Sequence, residues 1–174
     1  MKTIKIINKD KAIALILILA VIGTLVFIFS NSLKTKDDSS EQSSEIAGAI
    51  KPIVDPDNKV PKDIFEHYVR KCAHFSEFAL LGFELILLLY ALCQRKLKSI
   101  PPSGYVSVVL AFSLCALLDE TIQLFSERGS SVTDVWIDIA GGISGCAVSL
   151  LLLYLYCIFK MRRKEKKRKR LTST

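Results

Sequence analysis

The sequence is as informative in what it lacks as in what it carries. No two of its five cysteines, at 72, 93, 115, 146 and 157, stand at CxxC or zinc-finger spacing, and their number is odd. No redox dithiol or structural zinc motif is therefore written in the chain. Four of the five fall inside apolar runs and Cys72 stands at the edge of one, so they read as small membrane-buried side chains. Charge is missing over much longer stretches: neither Ala12 to Leu33 nor Pro101 to Leu118 has a charged residue. The chain has 174 residues, 51% of them apolar, with a mean hydropathy of +0.37. That is one domain's worth of sequence with its apolar residues in blocks, which excludes an ordinary soluble domain.

A bilayer core about 30 Å thick needs about 20 apolar residues as helix. Four segments supply them, over about 12–30, 72–94, 103–125 and 135–159. The second is interrupted only by His74, Glu77 and Glu84. The third continues to Phe125 through Asp119 and Glu120, and the fourth is broken only by Asp138. The first has lysines in front of it, but its apolar core, Ile13–Phe29, exceeds a signal peptide's usual apolar region and no Ala-x-Ala site follows. It is expected to remain as an uncleaved helix. The fold expected is an all-α bundle of four transmembrane helices spanning 1–159, followed by a basic tail over 160–174.

Charge sets the orientation. The N-terminus, the loop 94–100 and the tail hold sixteen Lys and Arg, against eight on the other side, where the seven between 34 and 71 face eight acids. The positive-inside rule then places both termini in the cytoplasm and the segments 34–69 and 126–133 outside. The tail KMRRKEKKRKR follows a span directly, so it reads as an anchor on anionic lipid head groups and not as a nucleic-acid site. In the outer segment, Ser39–Gly48 is a candidate short helix at the interface. Pro61 is placed to start a helix running into the second span.

Ionisable side chains inside a membrane cost roughly 2.5–3.5 kcal/mol each at mid-span and need a reason to be there. With the expected topology, Arg70, Lys71, His74 and Glu77 lie at the outer end of the second span. Asp119, Glu120 and Gln123 lie at the outer end of the third, and Asp134 and Asp138 in the first turns of the fourth. Glu84 is the one intrusion set deeper. At 100° per residue, Arg70, His74, Glu77 and Glu84 share an arc of about 80°, and Asp119, Glu120 and Gln123 one of about 100°. Three helices can thus turn polar faces toward one outer pocket, with Gly141 and Gly145 allowing close backbone approach beneath it.

Clustered carboxylates repel one another and call for neutralisation. Arg70, Lys71 and Arg128 are the protein cations at hand. A divalent cation on His74, Asp119, Glu120 and Asp138 is the other solution, although this spacing matches no standard metal motif. A histidine beside carboxylates suits proton transfer or nucleophilic work, and the guanidinium fork suits phosphate. An amphiphile fits such a place, head group in the site and chain between helices.

Three segments resemble the VanZ-like family: FIFSNSLKT with the Ser-rich SSEQSSEI after it, RKCAHFSEFALLG at 70–82, and LLDETIQLFSERGSSVTDVWIDIAGGISG at 117–145. Phe78 stands where the family often has Tyr. The resemblance places Arg70, Lys71, His74, Glu77, Asp119, Glu120, Gln123, Arg128, Asp134 and Asp138 at motif positions. It implies a bacterial cell-envelope protein of the kind associated with teicoplanin resistance, acting on a lipid head group or a lipid-linked wall precursor. His74, Glu77, Asp119, Glu120 and Asp138 are then the expected catalytic set, with Arg70, Lys71, Gln123, Arg128 and Asp134 binding substrate. Membrane lipids, a lipid-linked wall precursor and a glycopeptide are the expected partners. A non-catalytic capture protein and a structural membrane partner are the alternatives.

Overall fold

The computed structural model describes residues 2–93, 95–126 and 131–172, and these are all helix and turn without a strand. Five helices follow in order: α1 (Lys2–Ser32), α2 (Lys36–Val54), α3 (Lys62–Leu92), α4 (Pro102–Phe125) and α5 (Val132–Thr172). A single 3-10 turn, Leu97–Ser99, precedes α4. Four of the helices contain stretches long and apolar enough to cross a membrane: Lys11–Ser32, Lys62–Leu92, Pro102–Phe125 and Val132–Lys166.

Local chemistry accounts for the helix starts. Thr35 caps α2 by accepting the Asp38 N–H on its hydroxyl, and Asp37 and Asp38 complement the dipole of the first turn. The outer segment is therefore helical over Lys36–Val54, further than Ser39–Gly48. Its small residues Ser39, Ser43 and Ala47 recur one turn apart and form its buried stripe, and α2 packs on α3. Pro61 is the N-cap of α3, and Pro102 opens α4 at its first position, where a missing N–H costs nothing. The basic tail extends α5 without a break as far as Thr172.

The turn between α2 and α3 is knitted by Asp55, whose carboxylate accepts the backbone N–H groups of Lys59 and Val60, both at 2.9 Å. The Val60 and then the Lys59 N–H hold the Asp55 carboxyl below the usual carboxylate range. Lys51 closes the same turn onto the Val60 carbonyl at 2.6 Å.

α3 packs against every other helix and most extensively against α5. Phe75 of α3 faces Gly141 of α5 and Ala79 faces Gly145, so the two helices run parallel with their N-terminal ends together. They touch backbone to backbone. A Cβ built on Gly145 would collide with the Ala79 carbonyl, and one on Gly142 would lie 2.6 Å from the Phe112 ring of α4. The Ser32 hydroxyl at the end of α1 reaches Asp119 near the end of α4, so α1 and α4 also run parallel, with their C-terminal ends at this same end of the bundle.

The exterior is apolar, unlike that of a water-soluble bundle, and carboxylates are buried beside an apolar core that includes Ile28, Phe78, Leu81, Ile86 and Phe112. Leu15, Ile16, Leu19, Leu110, Leu114, Leu151 and Leu152 are all more than half exposed, while Asp119 and Asp138 are 0% exposed. An apolar exterior around buried carboxylates suits a hydrocarbon solvent and would expose a large sticky surface in water.

Two outcomes follow from the packing. Gly145→Ala drives a methyl into the Ala79 backbone and should cost about 1–3 kcal/mol. Gly23→Ala, whose Cβ meets nothing within 4 Å, should gain about 0.5–1 kcal/mol from helix propensity; thermal unfolding in one detergent compares them. For the α2–α3 turn, the Asp55 contribution is present above its unfolded-state value near 3.8. It is lost as pH falls through the depressed folded value. Protection of the Lys59 and Val60 amides, read by hydrogen exchange against intrinsic rates, should fall in that acid window and be absent in Asp55→Ala at neutral pH.

Candidate functional site

The end of the bundle where α1 and α4 finish and α3 and α5 begin carries the polar groups. On α3, Arg70, Lys71, His74 and Glu77 descend over two turns. Lys71 forms an ion pair with Asp134 of α5 at the rim. One turn further in, His74 Nδ1 lies 3.8 Å from Asp119 Oδ2, longer than a direct hydrogen bond. Asp138 lies at the same level, and ligand-type atoms of His74, Asp119 and Asp138 all fall within 4.8 Å of one another. These three groups, from α3, α4 and α5, form the floor of the site.

Asp119 is held from both sides. Gln123, one turn on along α4, donates its amide to Oδ2 at 2.8 Å, and the Ser32 hydroxyl donates to Oδ1. Ser126 in turn donates to the Ser32 carbonyl at 2.9 Å, so the ends of α1 and α4 are laced together. Asp138 differs. It is fully buried, and neither carboxylate oxygen has a hydrogen-bond partner among the described residues.

Glu77 accepts a hydrogen bond from the Asn31 side chain of α1 at 2.8 Å. Glu120 is 6% exposed and its carboxylate accepts the Ser131 N–H at 3.0 Å, tying the end of α4 to the start of α5. It lies outside the His74–Asp119–Asp138 group, and its bond to the backbone gives it a visible structural task. Arg128 lies outside the described residues. Glu84 lies two turns of α3 beyond Glu77, and its Oε2 is buried without a hydrogen-bond partner among the described residues.

Two cavities meet at Arg70 and His74. One, of about 190 Å³, is lined by Lys36, His67, Arg70, Lys71, His74, Gln123 and Asp134. The other, of about 280 Å³, has Phe27, Ile46, Val69 and Ala73 as apolar walls, and Asn31, Arg70, His74 and Glu77 among its polar ones. A larger cavity, about 610 Å³, lies at the α2–α3 turn around Lys51 and Asp55, far along the chain from the buried carboxylates.

Sequence reasoning did not single out three contributors: Asn31, Ser32 and Lys36. Asn31 and Ser32 are neutral and sit where the first span ends, so hydropathy hides them. The signal available was two adjacent hydrogen-bonding side chains at the depth of the other polar intrusions. Lys36 reads as one more solvated lysine until α2 folds back over α3.

A family model described as VanZ/LLP1 matches residues 14–164. No curated protein and no solved structure matches the chain.

Ser32→Ala removes a donor from a fully buried carboxylate and should cost about 1–3 kcal/mol. Ser30→Ala, on an exposed side of the same turn, should stay within about 0.5 kcal/mol. Thermal unfolding of both variants in detergent checks the assignment, and equal midpoints would show that the Ser32–Asp119 bond contributes nothing.

Proposed function

The chain belongs to the VanZ/LLP1 family, and on that premise we propose that it acts on the head group of a phosphate-linked lipid or lipid-linked wall precursor. The observation that carries the reading is the pair of cavities joined at Arg70 and His74. The polar chamber gathers Lys36, Arg70 and Lys71, a cation set suited to a phosphate. The second, walled by Phe27, Ile46 and Val69, suits the first part of an acyl or prenyl chain. An amphiphile with its phosphate in the first and its chain in the second places the head group beside His74.

Depth supports the same reading. Trp136 and Tyr68, both at least 60% exposed, stand within about two helical turns of Asp138 and His74. Exposed Trp and Tyr favour the head-group level of a bilayer. Together with the lysine and arginine asymmetry, this supports a site in the outer leaflet of the bacterial plasma membrane with both termini in the cytoplasm.

In the reaction, Arg70 and Lys71 hold the phosphate. His74 takes a proton from the attacking hydroxyl or water and returns it to the leaving oxygen. Glu77, steadied by Asn31, shares in that proton traffic, and Asp119 and Asp138 balance the charge that develops on His74. Glu120 acts at one remove by holding the start of α5, and Gln123 by orienting Asp119. Arg128 is assigned to the phosphate by its motif position alone.

The test is a mass-spectrometric profile of membrane lipids and lipid-linked wall precursors in cells with no gene, the wild type or His74→Gln at matched membrane abundance. One head-group species should change with the wild type and revert with His74→Gln. Three coincident profiles with teicoplanin tolerance still tracking the wild type would replace chemistry by capture of the glycopeptide or precursor. For the orientation, thiol labelling from outside intact cells should modify a cysteine introduced at Ser40 and spare one introduced at Ser173.

A further inference from the structure

We infer that the floor of this pocket is a binding site for one divalent transition-metal ion, held by His74, Asp119 and Asp138. The inference deepens the head-group reading and names a cofactor for it; with the ion in place His74 serves as its ligand and the proton transfer falls to Glu77. Two fully buried carboxylates and an imidazole offer ligand atoms that all lie within 4.8 Å of one another. Ligands about 2.0–2.1 Å from a tetrahedral ion stand about 3.3 Å apart, so side-chain shifts that draw the atoms together by up to about 1.5 Å close the group on an ion.

Asp138 is the observation that sets this apart from an ordinary acidic cluster. Its side chain is 0% exposed, and neither oxygen has a hydrogen-bond partner among the described residues. An isolated buried carboxylate is costly unless it is paired, protonated or bound to a metal. Of the cations lining the cavity above, Lys71 is paired with Asp134 at the rim, and neither Arg70 nor Lys36 hydrogen-bonds Asp138. A divalent ion balances Asp119 and Asp138 together.

Asp119 already has the support that a ligating carboxylate needs. Ser32 and Gln123 each donate a hydrogen bond to it, which fixes its plane. Glu120, which sequence pattern alone would group with the ligands, is engaged instead with the Ser131 N–H. One nitrogen and two carboxylates favour zinc or manganese over calcium or magnesium, which prefer all-oxygen shells. Three protein ligands would leave a coordination position for a water or a lipid phosphate oxygen, and His74 is the one of the three that lines the cavities.

The experiment uses the full chain in lipid nanodiscs, stripped with a chelator and then titrated with zinc chloride or manganese chloride. Bound ion is read by elemental mass spectrometry after gel filtration, and the thermal midpoint is read with and without ion. The wild type should take up about one ion per chain and gain thermal stability. Asp138→Asn and His74→Asn should each weaken binding at least tenfold, while Glu120→Gln should bind as the wild type does. Helical circular dichroism and a single gel-filtration peak verify that each variant is folded. If a variant fails to fold, the wild-type stoichiometry and midpoint still decide. A stripped wild type that takes up no ion and shows no shift overturns the proposal, and so does uptake unaltered in folded Asp138→Asn and His74→Asn. Because the readout is the ion and not a lipid product, ion uptake beside an unchanged lipid profile refutes the head-group reading alone. A changed lipid profile in a protein that binds no ion refutes the metal site alone.

Discussion

The parallel contact of α3 with α5 is the constraint on which the rest of the molecule depends. Gly141 lies on Phe75 and Gly145 on Ala79 with no side chain between the backbones. Within lipid, helices gain nothing from hiding apolar surface from one another, so close van der Waals contact between small residues has to hold them. That contact also fixes a register. His74 precedes Phe75 and Asp138 stands one turn before Gly141 and Gly142, so the glycines that let the helices touch bring the imidazole and the carboxylate to one level. Phe112 of α4, against Gly142, sets the third helix on the same layer.

Stability and chemistry are coupled here because one end of an otherwise apolar interior is polar. A soluble bundle gains stability by burying leucines; this one leaves Leu110, Leu114, Leu151 and Leu152 facing outward and buries Asp119, Glu120, Gln123 and Asp138. Each buried polar group is expensive alone and serves the bundle only through a partner on another helix. Ser32 on buried Asp119 is such a cross-helix partner, and Asn31 on half-buried Glu77 and Lys71 on Asp134 at the rim tie further helices together. A change that frees one of these groups for function also loosens a helix contact, so activity and folding have to be measured together at these positions.

The site is layered along the helix axes. Its rim is cationic, with Lys36, Arg70 and Lys71, and its floor is the imidazole with two buried carboxylates. In the reading proposed above, the rim draws in a phosphate and the floor manages the charge and protons of its reaction. The separation has a physical basis: cations at the rim can reach water and lipid phosphate, whereas the floor is screened by packed side chains, so interactions there are stronger and less forgiving.

The sequence by itself determined the class of the molecule and the depth of its polar groups. Four long apolar blocks call for membrane helices, in which every backbone group is satisfied within the segment, and the alternating direction of the spans put His74, Glu77, Asp119 and Asp138 at one end. It also marked Pro61 as the start of α3 and Gly141 and Gly145 as a point of close approach. Tertiary structure alone decided who meets whom. Periodicity ranks faces within a helix and carries no information about rotation between helices, so nothing in the pattern separated Glu120, which turns to Ser131, from Asp119, which turns to His74. Nor did it bring in Asn31 and Ser32, neutral residues whose role exists only because α1 ends against α4 and α3. The solitary burial of Asp138 was equally hidden, since whether a carboxylate has a partner depends on the three helices around it and not on its own neighbours in the chain.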